Sequence, residues 1–280
     1  VTRIRLCLCR LRAALIALAA VLPVATPTEA GTYGALPPEK VAQVEVLPGW
    51  TEGGLRIAAI SIALAPGWKT YWRAPGDAGI PPSFDWKGSG NLAGLQFHWP
   101  VPHVFATNGM RSVGYKDRVV LPILLTPTRS GEPIRLRGAL DLGVCLDICM
   151  PVTVAIDATI PPGGAHDPRI AAALADRALT GAEAGVLSAI CTVEPIRDGL
   201  RLTARLTLPR QGGPETVVIE TDNPRVWVSD TESVRSGGML EAQADLVPSD
   251  ARPFTLDRSA LRITVLGEGR AVDIRGCTGG

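Results

Sequence analysis

Short runs in which apolar and polar residues alternate, each cut off by glycine or proline, recur through most of the chain and constrain its fold more than any other feature. A period of two places alternate side chains on opposite faces of an extended strand. Leu55, Ile57 and Ala59 alternate, and the phase then slips to Ile60, Ile62 and Leu64, which predicts a bulge. Further strand-like runs cover 84–86, 95–99, 119–125, 134–142 and 152–156. Pro66-Gly67, Ala74-Pro75-Gly76, Pro81-Pro82 and Ser130-Gly131 punctuate them as turns. Short strands at this spacing predict a β-sandwich. Leu200, Leu202, Ala204, Leu206 and Leu208 open a second series, continued by 217–219, 226–228, 254–256 and 261–265. It predicts a second, smaller sandwich. One helix is expected between the two. Asp167 suits its N-cap, Pro168 its first turn, 170–179 its body and Gly181 its stop. The fold class expected is all-β, with one sandwich over 31–163, a helical linker over 164–184 and a second sandwich over 185–280.

Residues 1–30 read as a targeting segment. Arg3, Arg5, Arg10 and Arg12 form a basic start, and 13–24 is an apolar run too short to span a bilayer. Thr28-Glu29-Ala30 is a small-residue cleavage site, so the mature chain is expected to start near Gly31 and to be exported, as a periplasmic protein. Its loss leaves 24 basic against 26 acidic residues, a balance that argues against nucleic acid as a partner. Cys7 and Cys9 leave with the segment. Cys145, Cys149, Cys191 and Cys277 remain, and an even number in an oxidising compartment predicts two disulfides.

Cys145 and Cys149 are the strongest local signal. Residues four apart on a straight strand are about 13 Å apart, whereas a disulfide needs Cα atoms within roughly 7 Å. The segment must therefore bend back if the pair closes. So small a loop gains little chain-entropy stabilisation. The pair also has opposite parity to Ile134, Leu136, Leu140 and Leu142, so without a bulge Cys145 points away from the aliphatic core. A short accessible disulfide suits thiol exchange. A structural clip and a metal site are the other readings of the same spacing. Cys191 and Cys277 instead bracket the second sandwich, and a bridge closing so long a loop reads as a structural staple.

The remaining residues offer less. His98 alternates with Phe97 and Trp99 and reads as a surface residue, and His103 and His166 are scattered. No G-x-S-x-G and no phosphate-cradling glycine loop supports hydrolase or nucleotide chemistry. Trp68, Tyr71 and Trp72 form an aromatic cluster divided between core packing and a binding surface. No cofactor or resident metal is expected.

Three blocks carry a resemblance to a known family: Gly67-Trp68-Lys69-Thr70-Tyr71-Trp72, then 114–123 (GYKDRVVLPI), then Gly143-Val144-Cys145-Leu146-Asp147-Ile148-Cys149-Met150-Pro151. In order and separation they resemble the periplasmic N-terminal domain of DsbD-type thiol:disulfide interchange proteins, in its two-domain, ScsB-like version. The resemblance covers about 40–160 well and the rest loosely. It implies an immunoglobulin-like fold and a component of protein-disulfide reductase type. Cys145 and Cys149 would pass electrons from a membrane-embedded donor to periplasmic thioredoxin-like proteins, with Tyr71 as an aromatic near the pair. Better-known members separate their cysteines by more than the three residues found here. Their shielding loop carries an aromatic cap, whereas 106–110 has none, which leaves Asn108 and Met110 as shielding candidates. Neither cysteine is flanked in sequence by Lys or Arg.

Two other classes compete. The Cys-x3-Cys spacing followed by Met-Pro resembles copper-delivery proteins of the Sco type, with His98, His103, Met110 and Met150 as supplementary soft ligands. Those proteins alternate strands with helices, which this chain does not. A non-catalytic interaction module of two sandwiches would leave the short cysteine loop unexplained.

Overall fold

The computed structural model describes residues 38–107 and 109–280; the expected targeting segment and Asn108 lie outside the described residues. After a one-turn helix, α1 (Pro38–Val41), come ten strands: β1 (Ala42–Glu52), β2 (Leu55–Leu64), β3 (Lys69–Tyr71), β4 (Ser83–Asp85), β5 (Leu92–Phe97), β6 (His103–Thr107), β7 (Met110–Lys116), β8 (Arg118–Pro127), β9 (Ile134–Cys145) and β10 (Cys149–Ile160). They form a four-stranded sheet in the order β1-β2-β8-β5 and a second sheet in the order β10-β9-β3-β7-β6, with β4 also paired to β9. Ala58, Ile60, Ile62, Ile123 and Leu125 of the first sheet meet Leu136, Leu140, Leu142, Val144 and Val113 of the second in one buried core.

The helix α2 (Pro168–Ala175) follows, and then β11 (Leu179–Thr180), β12 (Ser188–Ile196), β13 (Gly199–Thr207), β14 (Thr216–Glu220), β15 (Val226–Val228), β16 (Glu232–Ser236), β17 (Met239–Pro248), β18 (Arg262–Leu266), β19 (Ala271–Arg275) and β20 (Thr278–Gly279). These make sheets β11-β19-β18-β14 and β15-β17-β13-β12-β20, with β16 also on β17. Leu202, Ala204, Leu206, Leu240, Ala242, Leu246, Ile263 and Val265 fill a separate core. The architecture is all-β and immunoglobulin-like, two sandwiches with one helix of more than a single turn among the described residues. No helix among them is long and apolar enough to cross a membrane.

Two sequence expectations need correction. The phase slip at Ala59-Ile60 is not a bulge in β2, which pairs without interruption to β8. Its cause is burial on both faces. Ala58, Ile60 and Ile62 enter the sandwich core, while Ile57 and Ala59 pack on the outside against Ile170 of α2. The bulge lies across the ladder in β1, between Leu47 and Trp50. There Gly49 has φ 57°, and a Cβ would fall 2.0 Å from the Ile57 carbonyl oxygen, so only glycine fits. Pro48-Gly49 therefore marks a kink within an eleven-residue strand, not its end.

The helix is also shorter than expected. Asp167 caps it by accepting from the Arg169 N–H, but it stops at Ala175, and Leu179 has already entered β11. Its apolar side seals the outer face of the first sandwich.

Cys191, fully buried on β12, is bonded to Cys277 across a sequence separation of 86. In the chain-entropy picture a loop of that size contributes about 4.5 kcal/mol, against about 2 kcal/mol for a loop of four. Replacing both Cys191 and Cys277 by serine is therefore expected to cost about 2–5 kcal/mol in urea unfolding. The Cys145–Cys149 bond should still exchange normally in that variant, as thiol trapping would report.

Candidate functional site

The β9 side chains Ile134, Leu136, Leu140, Leu142 and Val144 alternate into the core. Cys145 has the opposite parity and lies on the outer face of its sheet. Direct cross-strand pairing then places Cys149, the first residue of β10, opposite it. The three residues Leu146, Asp147 and Ile148 form the hairpin loop, and the two Cα atoms stand 4.2 Å apart, joined by a disulfide. The bend-back demanded by the spacing is thus a β-hairpin, and the bond is one rung of its ladder.

The two sulfurs have different surroundings. Cys145 is 1 % exposed, whereas Cys149 is exposed at the sheet edge. Leu146 and Ile148, the latter 77 % exposed, leave apolar side chains in solvent beside Cys149. Outer-face parity therefore does not make Cys145 accessible.

Tyr71, at the end of β3 and only 2 % exposed, covers it. The Tyr71 hydroxyl lies 2.7 Å from Cys145 Sγ and 3.1 Å from Cys149 Sγ. Disulfide sulfurs carry no hydrogen, so any bond here is donated by the hydroxyl, whose single proton the sulfurs share with the Ala78 carbonyl oxygen. Burial pushes the Tyr71 pKa up, which keeps the phenol protonated at neutral pH.

The chain between β3 and β4 closes over this tyrosine. Ala78 presents its carbonyl oxygen 3.3 Å from the Tyr71 hydroxyl. Ile80 and the Tyr71 ring sit directly above Gly143 of β9, where a Cβ would fall 2.6 Å from Ile80 Cβ and 2.9 Å from Tyr71 Cδ2. Gly143 is what lets the aromatic ring descend onto the strand carrying Cys145.

The other shielding candidates separate. Asn108 lies outside the described residues. Met110 opens β7 and is 59 % exposed. Along β7, Gly114 is the residue opposite Tyr71, so Met110 stands four residues beyond that level, roughly 13 Å along the strand. Its neighbour Arg111 is turned to the second sandwich, donating to the Thr231 carbonyl at 2.5 Å. The register thus sets Met110 apart from the pair, and 78–80 lies on Tyr71 instead.

The supplementary copper ligands are likewise dispersed. Met150 packs against the first core. His98 is half-buried near Leu174 and Asp176 of the α2 terminus, and burial pushes its pKa down. His103 lies on β6. No group of three or more His, Cys, Asp or Glu residues gathers as a metal site among the described residues.

One charged neighbour was invisible in the linear sequence. Lys69 pairs directly with Cys145 across the β3–β9 ladder. Its amine reaches the other way across the sheet, 3.4 Å from Ser112 Oγ and 5.3 Å above the Phe105 ring.

The sequence model described as "Thiol:disulfide interchange protein DsbD, N-terminal" matches residues 33–161. No curated protein matches the chain significantly. Among solved structures, the N-terminal periplasmic domain of ScsB from Proteus mirabilis superposes with a TM-score of 0.64 at 23 % identity, covering 88 % of this chain and 96 % of that one. The reduced N-terminal domain of Neisseria meningitidis DsbD aligns over 45 % of this chain and 94 % of its own, at 21 % identity and a TM-score of 0.28. Nearly the whole chain therefore shares the ScsB domain's fold, and its residues 33–161 match the N-terminal domain of the DsbD thiol:disulfide interchange type.

Proposed function

We propose that the chain is a periplasmic thiol–disulfide exchange module that accepts reducing equivalents from a membrane-embedded donor and passes them to thioredoxin-like proteins through Cys145 and Cys149. The observation that carries this reading is the asymmetry of the pair: Cys149 an exposed residue, Cys145 a buried one, and a neutral phenol against both sulfurs. The periplasmic assignment leans on the ScsB relative, whose domain is described as periplasmic.

Exchange proceeds by attack of a thiolate on a sulfur in line with the S–S bond. A donor thiolate reaches Cys149 Sγ, a new S–S bond forms there, and the electron pair of the old bond leaves on Cys145 Sγ. The Tyr71 hydroxyl is already placed to donate to that departing thiolate. The donor's second thiol then releases Cys149, and the pair is a dithiol. In the outward step the Cys149 thiolate attacks an acceptor disulfide, and the acceptor's other sulfur leaves as a thiolate. Cys145 then attacks Cys149 Sγ, which frees the reduced acceptor and restores the bond. Two electrons and two protons pass per cycle.

Roles follow from access. Reduced Cys145→Ser should hold a long-lived covalent complex with an oxidised thioredoxin-like protein, because its exposed Cys149 attacks and nothing resolves the product. Cys149→Ser should capture little, since Cys145 is buried. Non-reducing gel electrophoresis distinguishes them, and failure of both folded variants to capture any probe would sink the exchange reading.

Tyr71→Phe removes the donor while keeping the ring. A hydrogen bond to a charged group contributes about 1.5–3 kcal/mol, so without it the Cys145 thiolate is a poorer leaving group. Losing a donor to the anion favours the protonated thiol. Reduction of the oxidised protein by dithiothreitol should therefore be several-fold slower at every pH, since its pH dependence belongs to the attacking dithiothreitol thiolate and only the leaving group has changed. An unchanged rate would remove Tyr71 from the mechanism.

A further inference from the structure

The 73–80 segment has two sides. One closes on Tyr71; the other is fastened to the second sandwich by polar contacts. Arg73, stacked on the Trp72 ring at 3.7 Å, donates Nε and Nη2 to Glu220 of β14 at 3.0 and 2.9 Å. Four residues on, the Asp77 N–H donates to Asp230 Oδ1 at 3.2 Å, and the Asp230 N–H returns a bond to Asp77 Oδ2 at 3.4 Å. Gly76 makes the closest approach, with φ 80°, and a Cβ there would fall 2.6 Å from Asp230 Oδ1. Arg111 steadies the same carboxylate, its Nε 4.0 Å from Asp230 Oδ2.

Leu266 and Ala271 of the second sandwich are buried in the first core, but the 73–80 segment itself borders open space. A cleft of about 640 Å³ runs along the junction, lined by Arg73, Pro75 and Gly76 on one side and Ile219, Trp227 and Asp230 on the other. Across an open cleft the segment's position depends on the polar clamps. A single residue, Ala78, separates the clamped Asp77 from Gly79 and Ile80, and Ala78 itself places the carbonyl that meets the Tyr71 hydroxyl. A Cβ on Gly79 would come within 2.9 Å of Tyr71 Cδ1, so the loop lies hard against the ring.

We propose that Asp230 of the second sandwich is a positioning residue for the Cys145–Cys149 pair. It pins Gly76 and Asp77, holds 78–80 closed on Tyr71, and so confines exchange to Cys149. This rests on the exchange reading above and assigns the second sandwich a part in it: control of which sulfur is open.

The test uses the whole chain, reduced and then pulsed with iodoacetamide, with each cysteine followed by peptide mass spectrometry. Wild-type protein should be alkylated at Cys149 much faster than at Cys145. Asp230→Ala should raise the Cys145 rate several-fold and leave the Cys149 rate nearly unchanged, and dithiothreitol should reduce its oxidised form faster. Asp230→Asn keeps a side-chain oxygen to accept from the Asp77 N–H, so it should restore the wild-type ratio, which a general loosening of the fold would not. If Asp230→Ala does not fold, Glu220→Gln weakens the other clamp and should shift the ratio the same way. A folded Asp230→Ala with the wild-type ratio overturns the proposal, as does equal alkylation of both cysteines in the wild type. Because iodoacetamide needs no protein partner, failure to capture a thioredoxin-like probe would remove the exchange function and leave this positioning measurable on its own.

Discussion

Each residue of β9 turns to the opposite face from the one before, so the strand has one aliphatic side and one side free for chemistry. Ile134, Leu136, Leu140, Leu142 and Val144 occupy the aliphatic side, all at 2 % exposure or less. Burying each contributes about 1.5–3 kcal/mol. A slip of one residue would turn all five out and drive Cys145 inward, at a cost comparable to the entire stability of an ordinary domain. The hydrophobic term on the inner face therefore fixes where the sulfur lies on the outer face. The Cys145–Cys149 bond is a passenger on that register. With a loop of only four residues it adds little to the fold, and so it is free to open and close without unravelling the sheet.

Much of this was legible in the sequence, because alternation is local. The parity of Cys145 against Leu140 and Leu142 could be counted directly, and the four-residue spacing demanded a hairpin. Where local patterns failed, contacts distant in sequence were the cause. Alternation in β2 broke at Ala59 because α2, more than a hundred residues later, covers its second face. Met110 was a reasonable shield by family position, yet the β3–β7 register sets it apart from the pair. The actual cover, 78–80, lay among prolines and glycines that read only as punctuation. Gly143 held a usable clue. A glycine within an otherwise aliphatic strand two residues before a cysteine signals that something must approach closely, here the Tyr71 ring.

The two disulfides differ in kind for reasons of chain distance and burial. Cys191–Cys277 joins residues far apart in sequence, and its Cys191 end is wholly enclosed. Cys145–Cys149 joins neighbours on a hairpin with one end in solvent. The second sandwich, locked by its own bridge, is thereby a firm base from which Glu220 and Asp230 reach the 73–80 segment.

Sheet order explains why the asymmetry falls as it does. In β10-β9-β3-β7-β6, β10 is an edge and β9 is interior. Cys145 is flanked on one side by β10 and on the other by β3, which brings Tyr71 with it. Cys149 has a neighbour on one side alone. Edge strands are ordinarily protected from pairing with other chains, and Pro151, two residues after Cys149, removes a backbone donor from this one. The edge is thus left open to attack on sulfur but poorly suited to growing another strand. Had the hairpin been entered from the edge, the first cysteine would be exposed and the second enclosed. Topology therefore sets which cysteine lies at the edge, and the 78–80 cover on Tyr71 completes the enclosure of the other.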